Sequence, residues 1–139
     1  MANIRQKGTT PERMFARWLR ANRIHASAQA RDLAGSPDFV NRRRRWVVWV
    51  HGCFWHRHHG CSRTTTPRRN RAFWTAKFRA NVLRDRRNKR AAKARGFEVF
   101  EVWECDIEKN SPALMRLRAA LLRAHRSRAN QTDSQPTSS

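Results

Sequence analysis

The chain has 139 residues, with 31 Lys and Arg against 10 Asp and Glu, a formal net charge of +21 and six tryptophans. That length suits one domain with one modest core; no stretch approaches the roughly 18 consecutive apolar residues of a membrane span, and no signal-type apolar run opens the chain, so the expected setting is the cytoplasm. The charge, spread from Arg5 to Arg128, points to polyanionic partners and the large rings to stacking on bases, while three cysteines fit an intracellular metal site better than a disulfide framework.

Thr9, Thr10, Pro11 and Glu12 give a capping hydroxyl, a proline at the first helical position and an acid in the first turn, which together predict a helix start. Met14, Phe15, Trp18 and Leu19 recur on one face, so residues 11–22 form an amphipathic helix. After the Gly35-Ser36-Pro37 break, Asp38, Phe39 and Val40 begin a short strand and residues 41–44 turn. Trp46 to Val50 is a continuous apolar run, the pattern of a strand buried on both faces. Residues 62–69 form a loop, and residues 70–95, free of glycine and proline, one long helix with Gly96 at its C-terminal cap. Phe97 to Trp103 reads as another strand ending at Glu104-Cys105. Ser111-Pro112 then starts a closing helix to about Ala124. The expectation is an α/β domain over residues 1–125, a small central mixed β-sheet flanked by helices, followed by a disordered tail over residues 126–139.

The stretch HGCFWHRHHGC, residues 51–61, places four histidines, two cysteines and two large aromatic rings at the C-terminal end of the buried strand. Cys53 and Cys61, one histidine of the His58-His59 pair and the distant Cys105 supply the Cys3His set of a closed, structural zinc site; Cys105 also fits a buried small hydrophobe. His51 and His56 remain, flanking the same turn. Asp38 sits at the mouth of its strand, and Asp85 lies three and seven residues from Val82 and Phe78, on the inward helix face. There it either meets a metal, a histidine or an arginine, or forms a salt bridge within Arg84-Asp85-Arg86-Arg87.

Gly35-Ser36-Pro37-Asp38-Phe39, His51-Gly52-Cys53-Phe54-Trp55-His56 with His58, Phe73-Trp74, Asn81-Val82 with Arg84-Asp85-Arg86-Arg87, and Val102-Trp103-Glu104-Cys105 resemble, in order and spacing, the very-short-patch repair (Vsr) endonucleases over residues 1–106. The resemblance implies a bacterial enzyme with a restriction-endonuclease-like fold that nicks one DNA strand 5′ of the thymine in a T:G mismatch, the product of 5-methylcytosine deamination. It further implies that Asp38 and the main-chain carbonyl of Val50 bind Mg²⁺. His56 resembles the general base, His51 a second histidine at the scissile phosphate, Asp85 the acid that orients the catalytic histidine, and Glu12 a glutamate near metal-bound water. Cys53, His58, Cys61 and Cys105 match the structural Zn²⁺ ligands, and Phe54, Trp55 and Trp74 the rings that wedge into the duplex. The implied partner is mismatched double-stranded DNA near the nucleoid, met by a monomer, with other DNA repair proteins as candidate partners.

The chain departs from the family pattern in three places. Val50 replaces a threonine of some relatives, leaving only the carbonyl, and Gly60 lengthens the His58-to-Cys61 spacing. Met1 to Arg5 align with an internal family motif whose methionine helps wedge the DNA, which predicts either a translation start upstream of Met1 or a weaker minor-groove clamp. The competing reading is a zinc-stabilised module that binds mismatched DNA without catalysis. A histidine-metal nuclease of the ββα kind fits the strand pattern and the four zinc-type ligands poorly.

Overall fold

The computed structural model describes residues 10–133, with side chains described to residue 124; the Met1-to-Arg5 motif lies outside the described residues. Helix α1 (Thr10–Ala21) buries Phe15 and Leu19. Strands β2 (Phe39–Asn41) and β3 (Trp46–His51) form an antiparallel hairpin, in whose turn the Asn41 side chain accepts the Arg44 N–H at 2.9 Å. A two-residue strand, β1 (Ser27–Ala28), extends the sheet beside β2. Both its residues are exposed, so no apolar pattern announces it in the sequence.

After β3 the chain makes a one-turn helix, α2 (Cys53–His56), and then the long helix α3 (Arg71–Ala94). It returns as β4 (Glu98–Trp103), parallel to β3, which gives a mixed sheet of order β1-β2-β3-β4. A parallel pair needs a crossover of a dozen or more residues, and α3 supplies it. Its end is fixed by a Schellman motif: Gly96, at φ 87°, donates to Lys93 O at 2.9 Å, and Phe97 N–H to Ala92 O at 3.1 Å.

All six residues of β3 are buried, and their alternation divides the core. Trp46, Val48 and Val50 face α1 and the closing helix, in a cluster with Phe15, Leu19, Leu114, Leu117 and Leu121. Val47 and Trp49 face the other way, toward Ala92 of α3 and Phe97. Period two therefore sends His51 to the α3 side, and Glu101 shares that side with Val99, which packs on the same cluster.

Two boundaries differ from the sequence expectation. Glu104 and Cys105 open a short helix, α4 (Glu104–Lys109), rather than ending β4; acids in a first turn suit the positive helix end, and Ser111 Oγ donates to Asp106 Oδ1 at 2.7 Å. The last helix, α5 (Pro112–Asp133), runs beyond Ala124 through most of the segment expected to be a disordered tail. That segment is polar, but Ala and Arg are good helix formers and no glycine or proline interrupts it before Pro136. Leu121, 1% exposed, anchors α5, and Leu121→Ala should cost about 2–5 kcal/mol of stability. Urea unfolding measures this, and a loss below about 1 kcal/mol would mean that α5 contributes little to the core.

Candidate active site

Asp38 precedes β2 and is 4% exposed; its Oδ2 accepts the Val50 N–H at 2.7 Å. This hydrogen bond ties the strand mouth to the end of β3. Beside it opens a cavity of about 370 Å³, lined by Glu12 of α1, Asp38, Val50, His51, His56 and Asp85 among others. Glu12, 8% exposed, comes from the opposite layer. The wall also holds Gly35 at φ +74°, where an added Cβ would lie 2.3–2.8 Å from the Asn88 side chain. Only glycine allows that approach.

Two imidazole–carboxylate pairs stand side by side, with the His51 and His56 ring centroids 4.3 Å apart. His56 Nδ1 lies 2.7 Å from Asp85 Oδ2 across the α2–α3 contact, so Asp85 turns to a histidine rather than to its neighbouring arginines. His51, 2% exposed, has Nε2 2.8 Å from Glu101 Oε2, although the ring N–H is not well aligned with that oxygen. Its Nδ1 is buried without a hydrogen-bond partner. Lys89 of α3 holds the other Glu101 oxygen at 2.6 Å. Burial pushes the Glu101 carboxyl up, but the hydrogen bonds and charges of His51 and Lys89 outweigh it and bring it down to about 2. Glu101 and Lys89 went unassigned in the sequence because a glutamate alternating with apolar residues in a strand reads as a solvated face. The available signal was its phase, two residues from Val99.

On the far side of α2, Cys53, His58, Cys61 and Cys105 bring four ligand atoms within 4.8 Å of one another. His58 Nδ1 is 3.6 Å from Cys53 Sγ and 3.4 Å from Cys105 Sγ, and the Cys61 and Cys105 sulfurs are 4.0 Å apart. A tetrahedron built on Zn–S and Zn–N bonds has edges of about 3.8 Å between sulfurs and about 3.6 Å from sulfur to nitrogen, so the donor set fits a zinc-sized ion. His59 is exposed and takes no part. His58 stacks on Trp103, centroids 4.3 Å apart at 9°. Burial pushes the Cys53 thiol up to about 12.

Phe54 and Trp55 of α2 meet Trp74 of α3 at ring distances of 6.1 and 5.9 Å. The three are half-buried, while Phe73 beside them is 60% exposed. The wedge candidates from α2 and α3 thus form one aromatic group, and α2 joins it to the cavity through His56.

A family model described as DNA mismatch endonuclease Vsr matches residues 1–63. The chain is 37% identical over 121 residues to the type II nicking enzyme V.XorIIP of Xanthomonas oryzae pv. oryzae, covering 87% of this chain and 88% of that protein. It is 38% identical over 107 residues to the DNA mismatch endonuclease Vsr of Escherichia coli, covering 77% and 68%. To the type II nicking enzyme V.NmeAIP of Neisseria meningitidis it is 32% identical over 117 residues, covering 84% and 83%.

The Glu101 geometry carries a pH dependence. Its ordinary value is near 4.5 and its folded value about 2, so its stabilising contribution is complete above the first and is lost as pH falls toward the second. Unfolding followed between about pH 5 and pH 2 should show wild type losing stability more steeply than Glu101→Gln. Parallel profiles would mean that the contacts to His51 and Lys89 add nothing to stability.

Proposed function

Because the chain belongs to the Vsr family of DNA mismatch endonucleases, we propose that it nicks one strand on the 5′ side of the thymine in a T:G mismatch, such as 5-methylcytosine deamination leaves. The observation that carries the reading is the His56–Asp85 pair at 2.7 Å opening on the same cavity as the buried carboxylates Asp38 and Glu12. Nicking a phosphodiester needs a water made nucleophilic and positive charge on the phosphate. His56, oriented through Nδ1 by Asp85, is placed to take the proton of the attacking water. Asp38 and the Val50 carbonyl would hold Mg²⁺, with Glu12 next to its water shell; hard oxygen donors suit that ion, which when bound supplies charge to the phosphate and leaving oxygen. His51 lies next to His56 for contact with the phosphate.

The hairpin that begins at Asp38, packed beside a parallel β4, supports kinship with the restriction-endonuclease fold. We further assign Cys53, His58, Cys61 and Cys105 to a structural Zn²⁺ that ties the loop after α2 to the first turn of α4. Phe54, Trp55 and Trp74 form the wedge that separates a base step, with the unstacking cost offset by new contacts. The basic surface supplies the sequence-independent attraction to the backbone.

Duplexes bearing one T:G mismatch in several contexts, with Mg²⁺ or EDTA, test the reading. Wild type should nick 5′ of the mismatched thymine only with Mg²⁺, and His56→Ala should lower the rate about 100- to 10,000-fold while binding persists. Tight mismatch binding with no nick in any context would replace the enzyme reading by the binding module. Metal analysis should find about one zinc per chain. Cys105→Ser should reduce that content and the Tm, whereas His59→Ala should leave both unchanged; a zinc-free wild type that is fully folded would refute the assignment.

A further inference from the structure

His51 and Glu101 form a second imidazole–carboxylate pair beside His56–Asp85, through Nε2 rather than Nδ1 and drawn from different elements. His51 ends β3, Glu101 faces α3 from β4, and Lys89 reaches Glu101 from α3 itself. A half-buried glutamate held by two cationic or donor groups costs desolvation that its partners must offset. A carboxylate accepts and does not donate, so a hydrogen bond from His51 requires the proton on Nε2. Nδ1 is then the bare nitrogen, buried without a protein partner in a ring that lines the cavity wall. Catalytic hydrogen bonds are often poorly aligned before substrate arrives and tighten in the complex, which suits the misaligned 2.8 Å contact.

We propose that Glu101, anchored by Lys89, is a positioning residue for the nicking reaction: it holds the His51 ring, with its proton on Nε2, in place beside His56 on the wall of the cavity that would take the scissile phosphate. The proposal rests on the nicking reading for its substrate, but the tautomer is a property of the free protein. Glu101 is not among the residues that line the cavity and acts through His51. Lys89 keeps the glutamate turned toward His51 rather than toward the arginines of α3. The two rings then stand side by side at the cavity, His56 held by Asp85 and His51 by Glu101.

Single-turnover nicking of a T:G duplex by wild type, Glu101→Ala, Glu101→Gln, His51→Ala and the Glu101→Ala/His51→Ala double variant tests the coupling. Glu101→Ala should slow the nick about 10- to 100-fold with little change in duplex affinity. Glu101→Gln should recover part of that loss, because its amide oxygen still accepts the Nε2 proton. The double variant should be no slower than His51→Ala alone. If the two losses multiply, Glu101 acts elsewhere and the proposal falls.

A second readout needs no nicking. The ¹⁵N imidazole shifts of neutral His51 should report a protonated Nε2 and a bare Nδ1 in wild type, and a changed mixture in Glu101→Ala. His51 carrying its proton on Nδ1 in wild type overturns the proposal whatever the activity. The expected tautomer in a protein that nicks no mismatch would instead leave the positioning intact and refute the nicking reading.

Discussion

The phase of β3 is the constraint on which the rest of the structure depends. With all six of its residues buried, alternate side chains must serve two different layers, and period two leaves no slack: a slip of one residue would exchange the valines facing α1 and α5 with Val47, Trp49 and His51. Two ladders hold the register, the antiparallel pairing with β2 and the parallel pairing with β4. A third restraint is the Asp38 carboxylate on the Val50 N–H, which uses a candidate metal ligand to hold the strand end beside the cavity. The core and the site are therefore set by one register, and His51 reaches the α3 layer only because Val48 and Val50 fill the other.

What the sequence could and could not reveal follows from the kind of signal each element carries. The continuous apolar run of β3, the unbroken length of α3 and the capping pattern before α1 are strong local signals, and their elements stand within a residue or two of the expected limits. The two exposed residues of β1 carry no signal at all, and α5 continues because helix propensity outweighed a polar composition. Cys105 lies at the expected end of β4 yet on a helical turn, which still lets its sulfur reach Cys61. Asp85 was ambiguous in a run of arginines until α2 brought His56 against it. Glu101 was invisible for the opposite reason: its partners are 50 and 12 residues away in sequence, and only the β3–β4 register brings them together.

The short helix α2 concentrates several duties in one turn. Cys53 begins it and His56 ends it, with Phe54 and Trp55 between; a single helical turn points these four side chains in different directions. One goes to the sulfur cluster, one to Asp85, and two to the aromatic group. So short a helix has little stability of its own. Packing of Phe54 on Phe78, at a ring distance of 5.1 Å, and ligation through Cys53 are what would hold it rigid, which gives the proposed zinc a bearing on the geometry of the general base as well as on folding.

The charge of the cavity wall bears on the proposed cation. The surface of a +21 chain attracts polyanions, yet of its 10 acids three, Glu12, Asp38 and Asp85, line one cavity. Against them, Arg84 alone among the described lining residues bears a permanent positive charge. A phosphate entering there would meet a net negative wall in a partly desolvated space, where like-charge repulsion is larger than in water. Such a cavity suits a phosphodiester only if positive charge is supplied between the carboxylates and the phosphate oxygens. Asp85 is engaged by His56, so Asp38 and Glu12 are the pair that would face a divalent ion. The same acids that would repel bare DNA become the means of holding it once that ion is bound, so metal loading and substrate binding should be coupled at this site.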